Sequence, residues 1–162
     1  MKMAGWALLF LMVSSSVFAA PGGSAPRTKE PEGNEAAVRH YKAGLRHRDA
    51  AWVYEEKMTG LTGKAKESYA KFVQTTYKRA LEEFRKATEL DANYHPAFSS
   101  LGYILRKTGD LEGGLKAYNQ ALKLNPDYSE AIEYRAEAYL MLGRVKDMKK
   151  AYRVLAALDR PH

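Results

Sequence analysis

PAFSSLGYILRKTGDLEGGLKAYNQALKLNPDY, residues 96–128, carries the pattern that decides the fold. From Ala97 the apolar side chains fall at Phe98, Leu101, Ile104 and Leu105, a three-and-four spacing that paints one helix face. Lys107-Thr108-Gly109-Asp110 breaks the run: Gly109 suits the left-handed conformation that ends a helix, and Asp110 suits the cap of the next. Leu111, Leu115, Tyr118, Leu122 and Leu124 form a second stripe, stopped by Asn125-Pro126. Two antiparallel helices joined by so tight a turn cannot each bury a stripe alone. They must stack on neighbouring pairs.

Working outward, the chain matches itself at a shift of 34 residues. Ala97, Phe98, Leu105 and Gly109 fall on Ala131, Ile132, Tyr139 and Gly143, and Tyr118 falls on Tyr152. In the other direction Tyr118, Ala121 and Leu124 fall on Phe84, Ala87 and Leu90. The second half of the unit therefore occurs three times and the first half twice.

This pattern resembles the tetratricopeptide repeat. Phe98, Leu101, Gly102, Leu105, Gly109, Tyr118, Ala121 and Pro126 stand where that family keeps its signature residues. Residues 129–162 resemble a second, degenerate copy through Ile132, Ala136, Tyr139, Gly143, Tyr152 and Leu155. Two departures stand out: Gly114 replaces the usual small Ala, and Arg135 takes a position normally given to Leu. Arg135 is expected to snorkel past the core or to pair with a buried carboxylate. The fold class is thus all-α, a short solenoid of antiparallel helix pairs (95–128 and 129–162) preceded by a divergent helical segment over 35–94.

Within that segment, Ala37, Val38, Tyr41 and Leu45 predict a helix from Glu35 to about His47, with Asp49 capping a second short helix through Met58. Thr59-Gly60-Leu61-Thr62-Gly63 is a breaker. Lys64 to Leu90 contains neither Gly nor Pro and keeps one apolar stripe, so a single long helix is expected, its last half of repeat type.

The amino end is of another kind. Lys2, the apolar run Trp6–Val13 and Val17-Phe18-Ala19 follow the order of a secretory signal peptide, residues 1–19. A flexible leader over 20–34, rich in Pro and Gly, follows and ends at Asn34, which can cap the first helix. The expected location is the periplasm or the extracellular space, without membrane contact after cleavage. The 162-residue chain has a formal charge of +7 but no block of like charges, so nucleic-acid binding is poorly supported. The lack of cysteine excludes disulfides, thiolate metal sites and cysteine nucleophiles. His40 and His47, seven apart, are too distant for a metal pair without a third ligand, and His47 is expected to be exposed near a helix end. No metal, no cofactor and no enzyme activity are expected.

In the resembled family the first helices of successive units line a groove that receives peptides or helices. Carried onto this chain, the resemblance implies a partner-binding surface of Tyr103, Arg106, Glu133, Tyr134, Glu137 and Met141, with Ser99 and Leu140 beside them. The family's Lys and Asn pattern for clamping a C-terminal carboxylate is absent. The implied function is a non-enzymatic interaction or scaffolding module for a protein or peptide partner, and the alternative is a self-associating structural module. Lys146, Lys149, Lys150 and Arg153 form a basic stripe, read as the polar end of the array or as a contact for an acidic partner or membrane surface.

Overall fold

The computed structural model describes residues 33–158. These fold as six helices: α1 (Glu35–Met58), α2 (Gly63–Leu90), α3 (His95–Lys107), α4 (Leu111–Leu124), α5 (Ser129–Met141) and α6 (Val145–Leu158). The signal-peptide and most of the leader expectations lie outside the described residues. The last two leader residues do not fit a free linker: the Asn34 N–H donates to Asp91 over 3.0 Å, and Gly33 lies against Val38 and the Tyr94 ring. Asn34 also caps α1, its side chain accepting from the Ala36 N–H.

The local signals act as read. Gly109 adopts φ +96 between α3 and α4, and Gly143 adopts φ +70 at the same place in the next pair. Asp110 accepts from the Gly113 N–H over 2.8 Å and caps α4. One expectation fails: residues 35–58 form one helix, not two. Asp49 does not cap; its carboxylate takes the neighbouring Arg48 guanidinium at 2.8 Å. With no Gly or Pro between Leu45 and Met58, nothing forces a break.

Helices pair as α1/α2, α3/α4 and α5/α6, and each pair stacks on the next through α2/α3 and α4/α5. Aromatic rings set into small residues hold each hairpin together. A Cβ on Gly102 would stand 2.7 Å from the Tyr118 ring, and a Cβ on Gly44 would stand 2.6 Å from the Phe84 ring. Tyr118 and Phe84 are the 34-residue equivalents of one another, so α1 supplies the first helix of a third pair. Gly114 passes close to the Gly102 carbonyl, the approach its small size permits. Between pairs, Leu122 joins Ala131, Ile132 and Ala136, and Leu115 joins Ala138. Burial of these stripes, at roughly 25 cal/mol per Å² of apolar surface, is what holds the stack.

The first hairpin is longer than the others. α1 runs 14 residues beyond Gly44, where α3 runs five beyond Gly102. The extra nine residues amount to about 14 Å of helix. The hairpin therefore overhangs the turn between α3 and α4.

Candidate functional site

Alternate helices α1, α3 and α5 touch one another along one side of the stack. Helical spacing brings a line of aromatic rings together there. Trp52 on α1 donates its indole N–H to the Tyr103 hydroxyl on α3 over 2.6 Å. Tyr103 in turn lies 5.2 Å, ring to ring, from Tyr134 on α5. Arginines cover this line: Arg48 stands 4.3 Å over the Trp52 ring, and Arg106 stands 5.3 and 5.6 Å over the Tyr103 and Tyr134 rings.

Arg106 is the hub. Its guanidinium meets Glu137 at 2.8 Å, reaches the Tyr118 hydroxyl at 3.4 Å and lies 3.9 Å from the Met141 sulfur. Burial opposes the charge, but the Tyr118 hydrogen bond and Glu137 outweigh it and hold the guanidinium protonated above its ordinary value. Burial pushes the ionisation of the Tyr118 hydroxyl to higher pH, against the pull of Arg106. Burial and the nearby Glu130 do the same for Tyr134.

The structure thus brings five of the six expected partner-binding residues, Tyr103, Arg106, Tyr134, Glu137 and Met141, into one cluster. Glu133, one turn before Glu137 on α5, is exposed. Availability differs within the cluster. Tyr103 is 8% exposed and the Arg106 side chain 11%, so both are committed to internal contacts. Leu140 and Met141, at 56% and 57%, stand open to solvent. Ser99, one turn before Tyr103 on α3, is fully buried, as is Ser100, so neither is open to a partner. Trp52 and Arg48 belong to the cluster and carried no repeat signature; the signal that could have found them is the i, i+4 spacing of an Arg and a Trp on a helix.

Other expectations resolve as follows. Among the described residues Arg135 pairs with no carboxylate: it donates to the Asn119 side-chain oxygen over 2.9 Å and lies 6.0 Å from the Tyr139 ring. His47 sits half-buried in the middle of α1, since the helix runs on past it, and His40 meets Glu83 at 2.7 Å. Lys146, Lys149, Lys150 and Arg153 are all exposed on α6. At the positions where α4 sets Leu115 and Leu122 against α5, α6 has Lys149 and Ala156. α6 also leaves Val145, Tyr152, Val154 and Leu158 exposed. Among the described residues no group of three or more His, Asp or Glu could hold a metal ion, and no helix is long and apolar enough to cross a membrane.

A family model described as TPR repeat matches residues 102–143. Residues 102–143 thus match a TPR repeat, set within the all-α paired-helix architecture of a short solenoid. It is 29% identical over 130 residues to a DnaJ protein P58IPK homolog of Arabidopsis thaliana, covering 73% of this chain and 27% of that protein. It is 36% identical over 74 residues to the uncharacterized protein ycf37 of Pyropia yezoensis, covering 44% of this chain and 40% of that protein. The chain thus spans well under half the length of either relative. Among solved structures, the second TPR of Spaghetti (RPAP3) bound to HSP90 peptide SRMEEVD aligns with a TM-score of 0.53 at 19% identity, over 78% of this chain and all of that one. MamA aligns with a TM-score of 0.50 at 16% identity, over 76% of this chain and 78% of that one. These likenesses establish the fold.

Proposed function

We propose that the chain is a non-enzymatic protein–protein interaction module that holds a peptide or helix of a partner along the α1/α3/α5 face. The observation that carries this reading is the arrangement of that face: a line of aromatic rings fixed by Arg48 and Arg106, bordered by exposed Glu133, Leu140 and Met141. Ordered aromatics beside open apolar side chains are the ingredients of an interface anchor, because little conformational entropy is lost when a partner covers them. The RPAP3 domain of like fold is described as bound to a peptide, which supports the same use of the face here. A different peptide chemistry is expected, since the Lys and Asn pattern for a C-terminal carboxylate is missing from this chain.

Residues 1–19 read as an export signal, so the partner is sought outside the cytoplasm. The test is capture of partners from a periplasmic extract by the wild type and by a Leu140→Asp, Met141→Asp double variant. Both positions are exposed, so the variant keeps its helical content. The expected result is a partner retained by the wild type and lost by the variant; equal capture by both contradicts the reading.

A further inference from the structure

The second helix of each pair carries one row of side chains at four-and-three spacing. On α2 the row is Tyr77, Leu81, Phe84 and Thr88, and on α4 it is Leu111, Leu115, Tyr118 and Leu122. Phe84 and Tyr118 are completely buried. The α4 row is covered by α5: Leu115 joins Ala138, the Tyr134 ring lies 6.3 Å from the Tyr118 ring, and Leu122 joins Ile132. The same row on α6 reads Val145, Lys149, Tyr152 and Ala156. There Tyr152 is 44% exposed, although its equivalents on α2 and α4 are buried.

Charge says what can cover this row. Lys149 stands where both earlier pairs have leucine, and Lys146, Lys150 and Arg153 run beside it, all exposed. The one carboxylate of α6, Asp147, is held by Arg144 at 3.1 Å. A wholly apolar helix laid on the row would bury the Lys149 ammonium without a counter-charge. A second copy stacked end to end fits no better, because α1 at the other end of the array exposes Arg39, Lys42 and Arg46. Nor is a row with a lysine at its centre the broad apolar face that enters a bilayer surface. A helix with carboxylates in register answers both the exposed ring and the charge.

We propose that α6 docks an acidic amphipathic helix of a partner protein, laid on it as α5 lies on α4. The α4/α5 contacts give the register. An aromatic residue at the place of Tyr134 covers Tyr152. A carboxylate at the next position, the place of Arg135, meets Arg153, since Arg135 itself meets Asn119, the 34-residue equivalent of Arg153, at 2.9 Å. A second carboxylate three positions further on, the place of Ala138, meets Lys149. The partner helix therefore reads aromatic, acid, two residues of any kind, acid. In this chain the one aromatic followed by an acid is Tyr54, and Met58 stands where the second acid is required, so the partner is another protein. The site is separate from the α1/α3/α5 face.

The probe is a fluorescent peptide copying residues 129–141 with Arg135→Glu and Ala138→Glu, stapled into a helix on its outer side and titrated with the chain by anisotropy. Saturable binding is expected for this peptide, with much weaker binding of the same stapled peptide lacking the two substitutions. Lys149→Glu in the chain, an exposed change that leaves the helical spectrum intact, weakens the acidic peptide by roughly tenfold. Lys116→Glu, on the exposed side of α4, leaves it unchanged. The proposal is overturned by no saturable binding up to about 1 mM chain, by equal binding of the unsubstituted peptide, or by equal loss in Lys149→Glu and Lys116→Glu. It is also overturned if vesicles of phosphatidylserine and phosphatidylcholine, and not the peptide, bind in a manner that Lys149→Glu abolishes, which would assign the stripe to a membrane surface.

Discussion

The Arg106 guanidinium meets the Glu137 carboxylate at 2.8 Å, tying α3 to α5 across the proposed binding face. The same guanidinium lies over Tyr103 and Tyr134 and touches the Tyr118 hydroxyl, so one side chain fixes the relation of the second and third pairs. An arginine so engaged orders the surface more than it offers itself to a partner.

Replacing Arg106 by Ala should therefore register first as lost stability. Glu137 is 40% exposed, which places the pair between the surface and buried regimes. A loss of about 1–2 kcal/mol in urea unfolding is expected. Arg106→Lys recovers less than half of it, because an ammonium cannot fork to Glu137 and Tyr118 while covering two rings. Full recovery by Lys would show that charge alone matters.

The glycines under the aromatic rings give a second prediction. Gly102→Ala puts a Cβ 2.7 Å from the fully buried Tyr118 ring and 3.0 Å from the Gly114 carbonyl oxygen. Alanine's helix advantage of about 1 kcal/mol is outweighed by overpacking of roughly 1–3 kcal/mol. Gly44→Ala meets the Phe84 ring first, at 2.6 Å, and costs less than Gly102→Ala because a ring can shift where a backbone cannot. Thermal unfolding of the two variants tests the order; stabilisation by either contradicts this packing.

Loss of the cap should be visible at Asp110. Asp110→Ala removes the acceptor of the Gly113 N–H and costs about 1 kcal/mol by urea unfolding, with Asp110→Asn close to wild type. A neutral Asp110→Ala would mean that α4 starts without its cap.

The upward shift of the tyrosine ionisations to higher pH fixes an alkaline limit. Tyr77 and Tyr118, both buried, keep their protons to higher pH in the folded chain than the ordinary value of 10.0 allows in the unfolded one. Below that value they contribute no pH dependence. Above it the unfolded chain alone releases protons, so stability falls as pH rises towards the folded values. Each group contributes a slope of up to about 1.4 kcal/mol per pH unit. Urea unfolding between pH 9 and 11.5 should show Tyr118→Phe falling less steeply than wild type by about that amount; parallel curves would refute it.

Legibility in the sequence followed the reach of the interaction. Gly109, Asp110 and the stripe from Phe98 to Leu105 act within one turn or one helix face, so the second and third pairs could be drawn from the residues. The first pair could not be closed. Its glycine and its ring, Gly44 and Phe84, lie 40 residues apart across the long hairpin, where the 34-residue register fails. The break expected at Asp49 came from reading a capping residue type without the Arg48 beside it. In the candidate site, helical spacing found Tyr103, Arg106 and Glu137. Trp52 enters only through its contact with a helix 51 residues away in sequence, and the burial of Ser99 depends on what packs over α3.

Photo-crosslinking in living cells tests the central claim most directly. A photoreactive amino acid is placed at Met141 or Glu133 on the proposed binding face, or at Lys116 or Arg85 on the exposed sides of α4 and α2. The account predicts one and the same adduct from Met141 and Glu133 and none from Lys116 or Arg85. An adduct from Lys116 or Arg85 with none from the α5 positions would contradict it.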